Sequence, residues 1–175
     1  MREQMIAWAG DCIVRGSVEL GEGRLSDQLN ELDEIGVVTF FDATLRALDD
    51  GREVQVDKLE VERSELHVIE VHGRRGDPAR RLRTVEERVS VELGPFVITG
   101  NLHRPPSTQP LAALYRWARF VPMTDAIVGL RDREDDRVLQ EVILVNRTRI
   151  SRTDHLVAMP VYTTDPEPPL AGGLA

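Results

Sequence analysis

The feature that most constrains this chain is that it matches itself. Slid by 84 residues, Gly10 falls on Gly94 and Gly16 on Gly100, each within an apolar-alternating run. Glu3-Gln4-Met5-Ile6-Ala7-Trp8 meets Glu87-Arg88-Val89-Ser90-Val91-Glu92, and Ile13-Val14-Arg15 meets Val97-Ile98-Thr99. After a slip of one residue, Val37-Val38-Thr39-Phe40-Phe41-Asp42-Ala43 meets Phe120-Val121-Pro122-Met123-Thr124-Asp125-Ala126. The first offset then returns, and Leu59-Glu60-Val61-Glu62-Arg63 meets Ile143-Leu144-Val145-Asn146-Arg147. Few positions are identical, so the weight rests on the recurring order of features. A repeat found at this scale must be settled before any element is assigned.

Each copy reads as strand, strand, short helix, then three strands. Gly10-Asp11 and Gly94-Pro95 are turn chemistry between the first two strands. Val14, Gly16 and Val18 alternate in the second strand, as do Ile98, Gly100 and Leu102, which marks one buried face. Gly16 and Gly100 are repeat-equivalent structural positions, because a glycine inside a strand permits a bend or a close backbone approach. Leu25, Leu29 and Leu32 have helical spacing, and Leu111, Leu114, Tyr115 and Ala118 form the second stripe. Past Asp42 and Asp125 the apolar positions change parity, which requires a bulge or sharp bend at both aspartates.

These patterns predict a mainly-β (α+β) chain of two tandem small β-barrel-like modules. Each has five strands with one short inserted helix, and the pair is related as a pseudo-two-fold repeat. The boundaries are 1–72 and 87–155, joined by an Arg-rich linker at 73–86 and followed by a flexible Pro/Gly-rich tail at 156–175. At 175 residues the chain is long enough to bury a core without staples, and 41% hydrophobic with 30% charged residues suits a globular protein.

A net charge of −8 disfavours a general nucleic-acid binder, since phosphate recognition needs a cationic field. The linker is the local exception. Its Arg74, Arg75, Arg80, Arg81 and Arg83 are candidate anion or nucleic-acid contacts, weighed against a solvated charge run. The single cysteine, Cys12, allows no internal disulfide, which together with the lack of a ~20-residue apolar span predicts a cytoplasmic protein without membrane insertion. Cys12 itself is expected to be a buried, inert thiol.

No pattern for catalysis stands out. His67, His72, His103 and His155 form no metal-ligand spacing, and Gly21-Glu22-Gly23 is too short for a nucleotide loop. The acidic clusters Asp49-Asp50 and Asp132-Arg133-Glu134-Asp135-Asp136 fall in expected hairpin loops without calcium-loop spacing. The sequence therefore predicts no catalytic residue, metal or cofactor. One asymmetry points to contact: Ile6 and Trp8 stand where the second copy has Ser90 and Glu92, so an apolar face of strand one needs a cover. The sister copy or another subunit is the expected cover.

Arg24-Leu25-Ser26-Asp27-Gln28-Leu29-Asn30, Thr124-Asp125-Ala126 and Ile143-Leu144-Val145-Asn146-Arg147 together resemble an uncharacterised bacterial domain family. Its pattern runs glycine strand, RLSD-LN, TDA, VNR; here the first copy keeps RLSD-LN and the second keeps TDA and VNR. That resemblance implies no established activity. The strand order is also similar, at fold level only, to small barrels of the Sm and SH3 type, which implies edge-strand pairing between subunits. The resulting expectation is a non-catalytic, self-associating protein–protein interaction or scaffold protein. The alternative is an RNA- or nucleotide-binding small barrel that uses the linker arginines.

Overall fold

The computed structural model describes residues 2–19, 21, 25–31, 36–70, 83–115 and 118–156. Ten antiparallel strands form one sheet: β1 (Arg2–Trp8), β2 (Cys12–Glu19), β3 (Val37–Ala47), β4 (Glu53–Glu62), β5 (Val68–Glu70), β6 (Val85–Leu93), β7 (Phe96–Arg104), β8 (Phe120–Leu130), β9 (Arg133–Asn146) and β10 (Ile150–His155). The order across the sheet is β10-β6-β7-β8-β9-β5-β1-β2-β3-β4. The first half therefore runs β5-β1-β2-β3-β4 and the second β10-β6-β7-β8-β9, the same winding in each.

The small-barrel expectation meets an open sheet. β5 pairs with β1 on one side and with β9 on the other, so it does not return to close its own half on β4. The sheet consequently ends in two edge strands, β4 and β10. β6 begins at Val85, two residues inside the segment expected to be linker.

The parity change predicted at the aspartates is a bulge in both halves. Arg15 pairs with Thr44 and Ser17 with Phe41, so Asp42 and Ala43 together face the single residue Gly16. Thr99 pairs with Ile127 and Asn101 with Thr124, leaving Asp125 and Ala126 opposite Gly100. Asp42 and Asp125 are left-handed, with φ of 49° and 47°, a conformation that aspartate tolerates better than most residues. The extra residue turns Ala43 and Ala126 inward, where both are buried. Backbone closures also correspond: Arg63 N to Gly36 O and Arg147 N to Arg119 O are each 2.8 Å, at matching 3-10 turns Arg63–Glu65 and Arg147–Arg149.

The inserted segments differ. In the first half α1 (Leu25–Glu31) is one α-helix burying Leu29. In the second, the expected helical stripe is only a 3-10 turn at Ala112–Tyr115, and Tyr115 is exposed. Leu111, the first residue of the stripe, is left-handed at φ 59°, which breaks the helical pattern at its start.

Two hydrophobic cores form, and each takes residues from both halves. Trp8, Ile13 and Val68 of the first half pack with Val89, Val91, Leu93, Phe96 and Ile98 of the second. Phe120 and Leu144 of the second pack with Met5, Val14, Phe40 and Leu66 of the first. Each fully buried phenylalanine contributes roughly 1.5–3 kcal/mol by area.

The bulges make a test. A β-carbon on Gly16 would meet the Phe41 carbonyl oxygen at 2.9 Å and the Ala43 Cα at 3.3 Å, both backbone. On Gly100 the nearest atom, at 3.0 Å, is the flexible end of Met123. Gly16→Ala should therefore lower stability by about 1–3 kcal/mol, and by more than Gly100→Ala, in urea denaturation. Equal midpoints for the two variants would contradict the tight approach at the first bulge.

Candidate interaction site

Trp8 and Ile6 are placed first, because the sequence singled them out. Trp8 is 7% exposed and Ile6 half-buried, both against the core built mainly by the second half. The sister half is thus their cover, and the surface open to another molecule lies elsewhere. The residues in the equivalent positions, Ser90 and Glu92, face outward, with Glu92 paired to Arg131 at 2.8 Å and near Arg152 at 3.9 Å.

The junction itself is built from polar groups as well as apolar ones. Asn30, the last residue of the RLSD-LN run, donates from Nδ2 to the Phe120 carbonyl (3.1 Å). Its Oδ1 accepts the Phe120 amide (2.8 Å), so α1 is laced to β8 by one side chain. Asn146, in the VNR run, is fully buried and donates from Nδ2 to the Leu66 carbonyl at 2.8 Å. Its Oδ1 accepts the Thr148 amide and hydroxyl, and its own amide reaches the His67 carbonyl at 2.8 Å. Arg149 crosses the same seam, donating to Ser64 O at 2.7 Å and pairing with Glu65 at 2.7 Å. The two motif asparagines hold the halves together.

Asp42 and Asp125 serve the bulges. Around Asp125, Arg88 donates to its carbonyl (2.9 Å) and to Asn101 Oδ1 (3.1 Å), while Asn101 Nδ2 lies 3.4 Å from its carboxylate. His103 bridges Thr84 and Thr124 beside them. This outer face is polar and internally satisfied.

Glu87 and Arg104 form a largely buried ion pair, 2.6 Å apart, with Glu87 also accepting the Leu111 amide at 2.9 Å. Burial alone would raise the Glu87 carboxyl, but the Arg104 and Leu111 hydrogen bonds outweigh it and hold the group below its ordinary value. Arg104 donates onward to Thr108 O at 2.6 Å, so the pair fixes the loop before the 3-10 turn. Cys12 is pushed up to about 11 by burial, then by the Asp11 hydrogen bond and charge, and is a protonated thiol at neutral pH.

Of the linker arginines, Arg74, Arg75, Arg80 and Arg81 lie outside the described residues, and Arg83 is exposed ahead of β6. Among the described residues no group of three potential metal ligands converges, and no helix is long and apolar enough to cross a membrane.

Among the described residues, β4 and β10 each have a strand neighbour on one side alone. β4 is an edge strand over its ten residues, carrying Glu53, Asp57, Lys58, Glu60 and Glu62 with Val54 57% exposed. β10 is the opposite edge, with Arg152 and Asp154 exposed. No protein-family model, curated protein or solved structure matches the chain.

The buried asparagine gives a clear expectation. Asn146→Ala strands the Leu66 carbonyl and the Thr148 donors at the seam, so it should cost about 1–3 kcal/mol for the groups left unpaired. Chemical denaturation followed by tryptophan fluorescence would show it; an unchanged midpoint would mean that Asn146 does not hold the junction.

Proposed function

We propose that this chain is a non-catalytic interaction or scaffold protein, a tandem pair of five-strand modules that associates with copies of itself head to tail. Support for the doubling comes from the equal strand order, the paired bulges and the matching 3-10 turns. The observation that carries the association is which strands are left open. Inside the chain, β9 pairs with β5 through Val145↔Val68, Leu144↔Ile69 and Ile143↔Glu70. The equivalent strands, displaced by the repeat, are β4 and β10, the two edges of the sheet. Pairing β4 of one copy with β10 of the next would repeat the internal junction, setting Leu59, Glu60 and Val61 opposite Asp154, Thr153 and Arg152.

Charge favours this pairing over a symmetric one. β4 bears four carboxylates and one lysine, whereas β10 carries the exposed Arg152 beside Asp154, with Arg147 and Arg149 engaged inside the chain just before it. An antiparallel two-fold pair of β4 strands must oppose residues of equal parity, which sets Asp57 on Asp57 or Lys58 on Lys58 near its centre. Charged side chains on an edge are also how β proteins suppress indiscriminate pairing. The head-to-tail contact is polar where the internal one is apolar, so it is weak and salt-sensitive.

Sedimentation velocity across a concentration series tests the proposal. Wild type should form larger species at low ionic strength and shift to monomer in high salt. Thr153→Pro, which removes an edge amide, and the pair Glu60→Lys with Glu62→Lys should each give monomer at low salt while keeping the wild-type circular dichroism. A wild type that stays monomeric throughout would remove the proposal, as would assembly unaffected by well-folded edge variants.

A further inference from the structure

His67 sits where both halves and both first-hairpin turns meet. Its amide donates to the Trp8 carbonyl and its carbonyl accepts the Asn146 amide, each at 2.8 Å, so its backbone joins β1 to the end of β9. The residue is 6% exposed. Its ring lies edge-on to Phe96, with centroids 6.0 Å apart. Nδ1 lies 3.1 Å from the Glu65 carbonyl oxygen, a geometry that fits a neutral ring carrying its proton on Nδ1. The other edge of the ring faces the two turn glycines. A β-carbon on Gly94 would stand 2.7 Å from Nε2, and one on Gly10 3.5 Å from Cε1. Gly94 and Gly10 thus leave the space that this ring fills.

We propose that His67 is a pH-sensitive pin, and that protonating its ring loosens the seam between the two halves. This device is independent of the head-to-tail contact, since it lies inside one chain. A second proton on Nε2 would face the Gly94 turn, and the resulting cation would be enclosed by Phe96 and the hairpins. The charged groups around it do not offset that cost. Glu65, on its own 3-10 turn, is engaged by Arg149, and Arg149 itself repels the imidazolium. Across the seam, Arg131 donates to the Gly94 carbonyl and pairs with Glu92. On the other hairpin Asp11 follows Gly10 and is spent on Cys12. Burial, first among the causes, and Arg149 hold the histidine below its ordinary value against the Glu65 contacts.

The sign follows from linkage. The closed seam holds His67 neutral, so its contribution is whole above about pH 6.5, the value of a free histidine. It is lost as pH falls through the lowered value of the folded state. The opening equilibrium should rise by about tenfold for each pKa unit separating the open and closed forms.

Trp8 reports on the seam once Trp117 is replaced by phenylalanine. In Trp117→Phe, taking the full chain from about pH 7.5 to about pH 5 should increase iodide quenching of Trp8 and lower the protection of the His67 and Asn146 amides, measured against the intrinsic exchange rate at each pH. Adding His67→Phe, which keeps a ring but cannot titrate, should abolish both changes, although His72, His103 and His155 remain. Should that variant fail to fold, His67→Gln makes the same comparison with a neutral polar side chain. A parent protein that shows no change, or a folded His67 variant with the same pH response, overturns the proposal.

Discussion

The three-residue pairing of β5 with β9 is the constraint on which the rest of this structure depends. β5 has only Val68, Ile69 and Glu70, and both of its edges are used, one by β1 and one by β9. Because side chains alternate across a strand, Val68 faces one core and Ile69 the other. A short strand shared in this way makes the two cores mutually dependent. Trp8 and Ile13 complete the core of the second half, and Phe120 and Leu144 complete that of the first. Neither half holds a full interior without its neighbour.

A seam of that kind needs polar fastening as well as area, because it runs past chain ends and turns whose backbone groups would otherwise be stranded. Asn30 and Asn146 supply it, each satisfying a carbonyl of the opposite half and each also accepting through its amide oxygen. Their chemistry explains the choice of residue. An amide offers a donor and an acceptor together, which neither a hydrocarbon side chain nor an ionised carboxylate provides. Each half thus carries an asparagine that grips the other.

Much of this was legible in the sequence, and the boundary of legibility has a physical cause. Strand positions, turn glycines and the bulges at Asp42 and Asp125 follow from local alternation and from its interruption, which a linear chain displays directly. Trp8 could be marked as needing a cover because its partner position holds Glu92. The open form of the sheet was not legible. Whether β5 closes on β4 or continues to β9 depends on which of two distant edges it meets, and a three-residue strand carries too little pattern to decide it. The linking role of Asn146 left only a faint trace, a polar residue ending the run Ile143-Leu144-Val145. His67 left none, since its surroundings come from two hairpins and a turn far apart in sequence. The spacing of Leu111, Leu114 and Tyr115 predicts a helix for the second inserted segment, but the left-handed backbone at Leu111 breaks that stripe where it begins.

The comparison between halves also bears on the two edges of the sheet among the described residues. Where the first half presents Ile6 and Trp8 to its sister, the second presents Ser90 and Glu92, the latter held by Arg131. Where the second half covers its sister with Phe120 and Leu144, the first has Val37 and Glu60 at the corresponding places. Glu92 and Glu60 thus put charge where the partner positions hold Trp8 and Leu144, while Val37 stays apolar and 43% exposed. Backbone amides and carbonyls on β4 and β10 cannot be traded away in the same manner. They stay available whatever side chains surround them, and so a contact between copies must draw on hydrogen bonds and charge rather than on buried hydrocarbon.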